Sequence, residues 1–465
     1  MPSILDRERT VAPPGYNRWL VPPAALAIHL CVGQAYAFSV FNTPLTQLLG
    51  STKTRHVAGD WTAVQVSVIF EIAIVFLGLS AALFGRWMEK AGPRKAMLAS
   101  ALCFGSGFYV AALGLGLHIL PLVYLGYGVL GGIGLGIGYI SPVSTLIKWF
   151  PDRPGMATGL AIMGFGGGAL IAAPLEDTLM KHFASGTDPG VVQTFMVLGA
   201  LYFTAMLFGV FTVRVPAENW KPDGYVPAEN KDALVTTRGV TASEAIKTPQ
   251  FYLLWGVLFC NVTAGIGLLS AASPMIQALF LSHLSPKAAA AAAAGFVGLL
   301  SLFNLAGRFL WSSLSDKIGR KATYFIYFVL GFLLYIFVPI AAGLGSIGLF
   351  IGSAALIISM YGGGFAAAPA YLRDLFGTLQ VGAIHGRLLT AWSAAGVAGP
   401  LLFAALGQYQ AAHHVAPAES YTLPLHIMAG FLAVGFACNL LIRPVAPRHY
   451  APEDQLHLLQ EQAAH

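Results

Sequence analysis

The chain has 465 residues with 26 Lys/Arg against 20 Asp/Glu, so charged side chains make up 10% of it where soluble domains carry about 25%. Hydrophobic residues reach 56% and mean hydropathy is +0.70, a composition that makes lipid the solvent. Secreted scaffolds, disordered chains and nucleic-acid-binding modules are excluded, and Cys31, Cys103, Cys260 and Cys438 are too scattered for a metal or redox site.

A spanning helix needs about 20 mostly apolar residues to cross roughly 30 Å of hydrocarbon. Measured this way, the chain opens on a polar tail, 1–18, which lacks the apolar core and cleavage site of a signal peptide. Twelve spans follow at 19–46, 62–84, 96–117, 120–147, 155–175, 191–213, 250–281, 288–314, 322–343, 347–371, 379–405 and 423–442. A polar stretch, 214–249, separates the sixth span from the seventh, and 444–465 forms the second tail. With the N-terminus inside, the inner loops carry Arg86, Lys90, Arg94, Lys95, Lys148, Arg153, Lys317, Arg320, Lys321, Arg373 and Arg387. The outer loops carry only Lys53, Arg55, Lys181 and Lys287. The positive-inside rule therefore predicts that both tails and the linker are cytoplasmic.

The two halves, 19–213 and 250–443, repeat. Gly85-Arg-Trp-Met-Glu89-Lys90-Ala-Gly92-Pro-Arg94-Lys95 follows the second span, and Ser312-Ser-Leu-Ser-Asp316-Lys317-Ile-Gly319-Arg320-Lys321 follows the eighth. Acid, lysine and glycine recur at an offset of 227. After the fourth span, Gly155-Met-Ala-Thr-Gly159 is echoed by Gly382-Ala-Ile-His-Gly386. Two parallel six-helix halves predict an all-α membrane fold of the major facilitator type, with substrate bound between the halves near mid-membrane. The loop repeat resembles that superfamily's signature, which makes Gly85, Glu89, Lys90, Arg94, Asp316, Lys317 and Arg320 candidate gating residues.

Charge inside hydrocarbon costs at least about 2.5–3.5 kcal/mol, so each intramembrane ion is a functional candidate. Only Arg308 and Glu71 fall well inside the spans, and their repeat mates, Ala81 and Gly298, are uncharged. Arg308 has no acid one turn away; Asn304 shares its face. A permanently charged fork without an anion predicts an anionic substrate that completes the pair, unless the side chain snorkels to the cytoplasmic surface. Glu71, His29 and His385 are the candidate proton carriers, each with a plain structural alternative. The glycine runs of the fourth and fifth spans predict close helix packing. Gln34, Tyr36, Tyr139, Tyr361 and Phe365 sit beside small residues where they can wall a cavity.

Several strings sharpen this. Gly33-Gln-Ala-Tyr-Ala-Phe-Ser-Val-Phe41, Lys148-Trp-Phe-Pro151, Thr248-Pro-Gln-Phe251, Asn261-Val-Thr-Ala-Gly265 and Ala272-Ser-Pro-Met275 resemble the bacterial oxalate/formate antiporter family, of the monocarboxylate-transporter branch. The resemblance implies a small carboxylate substrate bound by Arg308, with Gln34, Tyr36, Tyr139 and Tyr361 lining the site. It also implies residence in the bacterial inner membrane and neither cofactor nor metal. Monocarboxylate transporters place an aspartate where this chain has Asn304; oxalate carriers place a second cation, a lysine, where it has Trp392. The expected function is therefore secondary transport of a monocarboxylate such as lactate, pyruvate or formate, proton-coupled or anion-exchanging. Oxalate:formate exchange is the rival, and a carboxylate-sensing receptor the rival from another class. No nucleophile–base pair supports an enzyme.

Overall fold

The computed structural model describes residues 3–49, 57, 59–186, 188–217, 220–225, 234–281, 284–416 and 419–452. Among them, twelve helices are long and apolar enough to cross a membrane. They are α1 (Arg18–Leu45), α2 (Ala63–Ala91), α3 (Pro93–Gly116), α4 (Leu120–Trp149), α5 (Pro154–Phe183) and α6 (Val191–Thr212) in the first half. The second half holds α7 (Pro249–Phe280), α8 (Pro286–Ile318), α9 (Arg320–Gly343), α10 (Ile347–Phe376), α11 (Val381–Ala412) and α12 (Thr422–Leu441). Lys53 and Arg55, counted above as outer-loop charges, lie outside the described residues, as do the Lys287 side chain and the last thirteen residues.

Helix starts follow ordinary capping chemistry. Thr62 and Gln65 form a reciprocal capping box at α2, and Thr248 and Ser285 accept the first free amides of α7 and α8. Proline occupies the first turn of α3, α5, α7 and α8, where no amide donor is needed. Ends are set less by hydropathy than by backbone. The signature read as a loop after the second span is helical to Ala91, and helix resumes at Pro93. The turn is Gly92 alone, at φ 84°, and its repeat mate Gly319 turns α8 into α9 at φ 85°. Both angles lie where a Cβ is disfavoured. The apolar ruler stops where hydrocarbon ends, whereas backbone hydrogen bonding carries a helix on to the next breaker.

One face carries both chain ends and the linker. Ala12 N donates to Val215 O at 2.9 Å, and Ala451 N donates to Gly239 O at 2.9 Å. The linker is also tied to the second half, with Thr236 N on Asp374 O and Val240 N on Phe376 O, each 2.9 Å. At this terminal face the halves are clasped reciprocally. Glu89, ending α2, accepts the Gly382 amide of α11 at 2.9 Å. Asp316, ending α8, accepts the Gly155 and Met156 amides of α5, each at 2.8 Å. Each acid and each amide recurs at the same offset of 227, so each half caps a helix N-terminus of the other. Lys148 pairs with Glu89 at 2.8 Å, and Arg320 bridges Asp316 and Asp374 at 2.5 and 3.1 Å. Arg94 differs from the gating expectation: it is buried and bonds the Val210, Phe211 and Val213 carbonyls at the end of α6, within its own half. Lys321, its repeat mate, does the same for Leu440 and Ile442 of α12. Lys90 and Lys317 are exposed.

From this face the halves touch along α2 with α11 and α5 with α8. A Cβ at Gly85 would meet Ala383, and one at Gly159 would meet Phe309 and Ser312. The contact reaches Ile74, whose carbonyl takes the Ser393 hydroxyl at 2.7 Å, and Leu305, against Gly167. One turn past Ile74, Glu71 is exposed; two turns past Leu305, Gly298 has nothing within 4 Å of its Cβ position. Beyond Ile74 and Leu305, on the side away from the terminal face, neither of these positions is covered.

Each carboxylate–helix cap is worth about 0.3–1 kcal/mol, up to about 2 when partly buried. Glu89→Gln with Asp316→Asn should therefore populate states parted at the terminal face. Spin labels at positions 90 and 317, in a cysteine-free background, should report longer distances in the double variant; an unchanged distribution would contradict the clasp.

Candidate functional site

The site begins with an irregular helix. α1 is α-helical over Pro22–Val32, 3-10 over Gly33–Phe41 and α-helical again over Asn42–Leu45. At three residues per turn, Gln34 and Tyr36 face different sides. Tyr36 turns toward the second half and Gln34 into its own.

Arg308 of α8 is fully buried at the contact with α5. Its Nε donates to Asn304 Oδ1 at 3.2 Å, Nη1 to the Ile162 carbonyl at 3.0 Å and Nη2 to the Tyr36 hydroxyl at 3.5 Å. The snorkelling alternative is therefore wrong: the side chain crosses to the other half instead of reaching for water. Gly166 lets it approach, since a Cβ there would sit 2.7 Å from Nε. Among the described residues no carboxylate pairs with this guanidinium. Three of its five N–H groups are engaged, leaving one on each terminal nitrogen free to meet an anion.

Aromatic rings from both halves enclose it. The guanidinium carbon lies 5.7 Å from the Tyr36 ring, 5.8 Å from Phe165 and 5.3 Å from Phe365, within cation–π range. Trp392 stands 5.7 Å from Phe365, 6.3 Å from Phe165 and 6.4 Å from Tyr36. Tyr139 lies 5.4 Å from both Phe165 and Phe365. Tyr361 lies beside Tyr36, Trp392 and Arg308. The Tyr139 and Tyr361 hydroxyls and the Trp392 indole N–H are buried without a well-formed protein partner. Unsatisfied donors around an unpaired cation make a site for a small, flat, oxygen-rich anion.

The structure thus gathers Arg308, Asn304, Tyr36, Tyr139, Tyr361, Phe365 and Trp392. It separates the others. Gln34 is no wall of this cavity: its amide nitrogen donates to Glu176 Oε1 at 2.7 Å, and its amide oxygen accepts from the Tyr127 hydroxyl at 3.0 Å. His29 has both ring nitrogens on backbone carbonyls, Ala161 at 2.5 Å and Tyr139 at 3.0 Å. His385 packs 5.6 Å from the Tyr139 ring, with Nδ1 unpartnered. Glu71 is exposed, contrary to the burial expected of it, and it is not the sole acid within a span. Glu176 of α5 is fully buried. Sequence reasoning missed Glu176 because the fifth apolar span stops at 175 while the helix runs to Phe183; the Asp177–Lys181 pair, one turn apart, is the signal that helix continues. Gly166 belongs to the glycine run read as helix packing, Phe165 was not singled out, and no local pattern distinguishes either.

The chain matches the Major Facilitator Superfamily over residues 24–400 and again over 301–459, and it belongs to that family of membrane transporters. It is 28% identical to the oxalate:formate antiporter of Oxalobacter formigenes over 394 residues, 84% of this chain and 85% of that one. It is 26% identical to apicoplast pyruvate carrier 1 of Toxoplasma gondii over 58% of this chain and 57% of that one. The solved structure of the transporter FucP in its outward conformation shares the fold, with a TM-score of 0.64 at 13% identity over 91% of this chain and 99% of that chain. The protein is a multi-pass membrane transporter, similar in sequence to an oxalate:formate antiporter and a pyruvate carrier, not an enzyme.

Gly166→Ala places a methyl group against the Arg308 guanidinium. It should weaken binding of an anion at Arg308 by about tenfold or more, the scale of a lost charge-assisted hydrogen bond. Gly298→Ala, facing open space, should leave it unchanged. Trp392 fluorescence in a background without the other tryptophans reads both.

Proposed function

We propose that the protein carries a small monocarboxylate of the lactate, pyruvate or formate type across the bacterial inner membrane by alternating access, with the terminal face cytoplasmic. The observation that carries this reading is Arg308: fully buried, unpaired with any carboxylate among the described residues, and touched by both halves. A carboxylate neutralises it and bonds to groups of both halves at once, so binding energy is available to draw the halves together.

Oxalate:formate exchange is the second reading, favoured by the similarity to the Oxalobacter formigenes antiporter. Against it stands the aromatic site. Trp392 occupies the place where the family resemblance calls for a lysine, and a second carboxylate set among rings would be desolvated without a partner. The receptor alternative has little to work with: the described parts of the tail and linker lie strapped to the transporter body.

Uptake and counterflow in proteoliposomes test the reading. Lactate or pyruvate should compete for labelled pyruvate better than oxalate does, and Trp392→Lys should move the preference toward oxalate. Arg308→Ala should abolish transport while the protein still inserts. Arg308→Lys, which keeps charge but loses the fork, should also fall strongly, because removing one partner of a buried charge contact costs about 2–5 kcal/mol. Near-normal uptake by Arg308→Ala, or selection of oxalate by the parent protein, would overturn it.

A further inference from the structure

Glu176 is the buried group that the carboxylate site does not use. It sits in the first half among α1, α4 and α6. Its Oε1 accepts from Gln34; among the described residues its buried Oε2 has no hydrogen-bond partner, and neither has the hydroxyl of Tyr202, which faces it from α6. The titratable groups around it are Tyr127 from α4 and Tyr202, with Cys31 of α1 beyond Tyr202. On its own helix, Lys181 is held by Asp177 at 2.5 Å. Arg308, the cation that α8 brings to α5, bonds at Ile162, fourteen residues and about 20 Å along the helix at 1.5 Å per residue. An isolated carboxylate in such surroundings is costly, whereas the neutral acid is not.

Two irregular helices meet at this acid. The Gln34 partner belongs to the 3-10 segment Gly33–Phe41, and Tyr127 belongs to a π-helical segment, Tyr124–Gly131, inside α4. Such segments interrupt regular helices at hinges and functional sites. The 3-10 segment carries Tyr36 as well, whose hydroxyl meets Arg308. One short stretch of backbone therefore holds the acid through Gln34 and the carboxylate clamp through Tyr36, two residues apart.

The geometry points to Glu176 as a proton-binding site coupled to substrate occupancy at Arg308 through rotation of the Gly33–Phe41 segment. The inference rests on the carboxylate reading of Arg308. Loading takes one proton from water to form the Glu176 O–H and one carboxylate anion to the guanidinium. Release on the other side breaks that O–H, returning the proton to water as the anion leaves. The net cargo is one proton with one anion, and no electron changes hands. Gln34 is a positioning residue, transmitting the turn of α1 to the acid.

The test uses full-length protein in liposomes with labelled pyruvate, measured as exchange against internal pyruvate and as accumulation driven by an inward proton gradient. Glu176→Gln keeps shape and the bond to Gln34. It should lose gradient-driven accumulation by about tenfold or more and lose the acid stimulation of uptake, while exchange, which needs no net proton, stays within about threefold. Glu176→Asp should restore part of the accumulation. Asp177→Asn, which removes the neighbouring exposed acid, should change neither activity. Gradient-driven accumulation retained in Glu176→Gln overturns the inference, as does parent protein that exchanges pyruvate without responding to the gradient. Should Glu176→Gln be inactive in both assays, proton uptake by the purified parent on adding pyruvate, followed with a pH dye, decides it. Uptake that is absent from the parent overturns the inference, and uptake that is lost in Glu176→Gln and kept in Glu176→Asp supports it. Parent vesicles that neither exchange nor accumulate pyruvate would instead refute the carboxylate reading itself.

Discussion

A guanidinium sealed between two six-helix bodies, with no carboxylate partner among the described residues, is the constraint from which the rest of this structure follows. Such a charge is tolerated only where the protein supplies dipoles and π-faces, and here they come from both sides of the cleft: Asn304 and Phe365 from one half, the Ile162 carbonyl, Tyr36 and Phe165 from the other. These partners hold the charge without cancelling it. A cation so held is poised for an anion. Gly166 and Gly362, against the guanidinium and its stem, show how closely the helices must come for this to work.

The same logic, in the opposite sign, operates at the terminal face. There carboxylates meet helix N-termini across the cleft, Asp316 on α5 and Glu89 on α11. Both contacts are made of few bonds and lie near water, so they can break and re-form as the halves rock, whereas the capping arginine and lysine, Arg94 and Lys321, stay within their halves. The pseudo-symmetry gives a clasp of two equal parts at one face and a single asymmetric charge at the centre. In the proposed carrier cycle, rocking about α2–α11 and α5–α8 would exchange which face is clasped and leave Arg308 between the halves.

Much of this was legible in the sequence because hydrophobic length and internal repetition are strong signals. Twelve spans, two halves and the exceptional status of Arg308 came from counting, the aromatic partners Tyr36 and Phe365 from their place beside small residues, and Trp392 from resemblance. What escaped did so for physical reasons. A hydropathy ruler measures lipid, not backbone, and so it cut the fifth helix one residue short of Glu176. Gln34 and Tyr36, two residues apart, lie on different sides of a helix at either three or 3.6 residues per turn, so both could not wall one cavity, and no local pattern said which of them would turn into its own half. Glu71 looked buried because its neighbours in sequence are apolar, yet it is exposed. The crossing of the two clasps was present in the repeat offsets but needed three dimensions to appear.

The central claim is that the Arg308 guanidinium holds the substrate's carboxylate. Solid-state NMR dipolar recoupling between the labelled carboxyl carbon of pyruvate and nitrogen-15 guanidinium groups, in protein reconstituted in lipid, measures that contact directly. The account predicts a carbon–nitrogen distance of about 4 Å or less at saturating pyruvate, as a bidentate pair requires, vanishing in Arg308→Lys. Dephasing that is absent from the parent protein while pyruvate is bound, or that persists in the Lys variant, would contradict it.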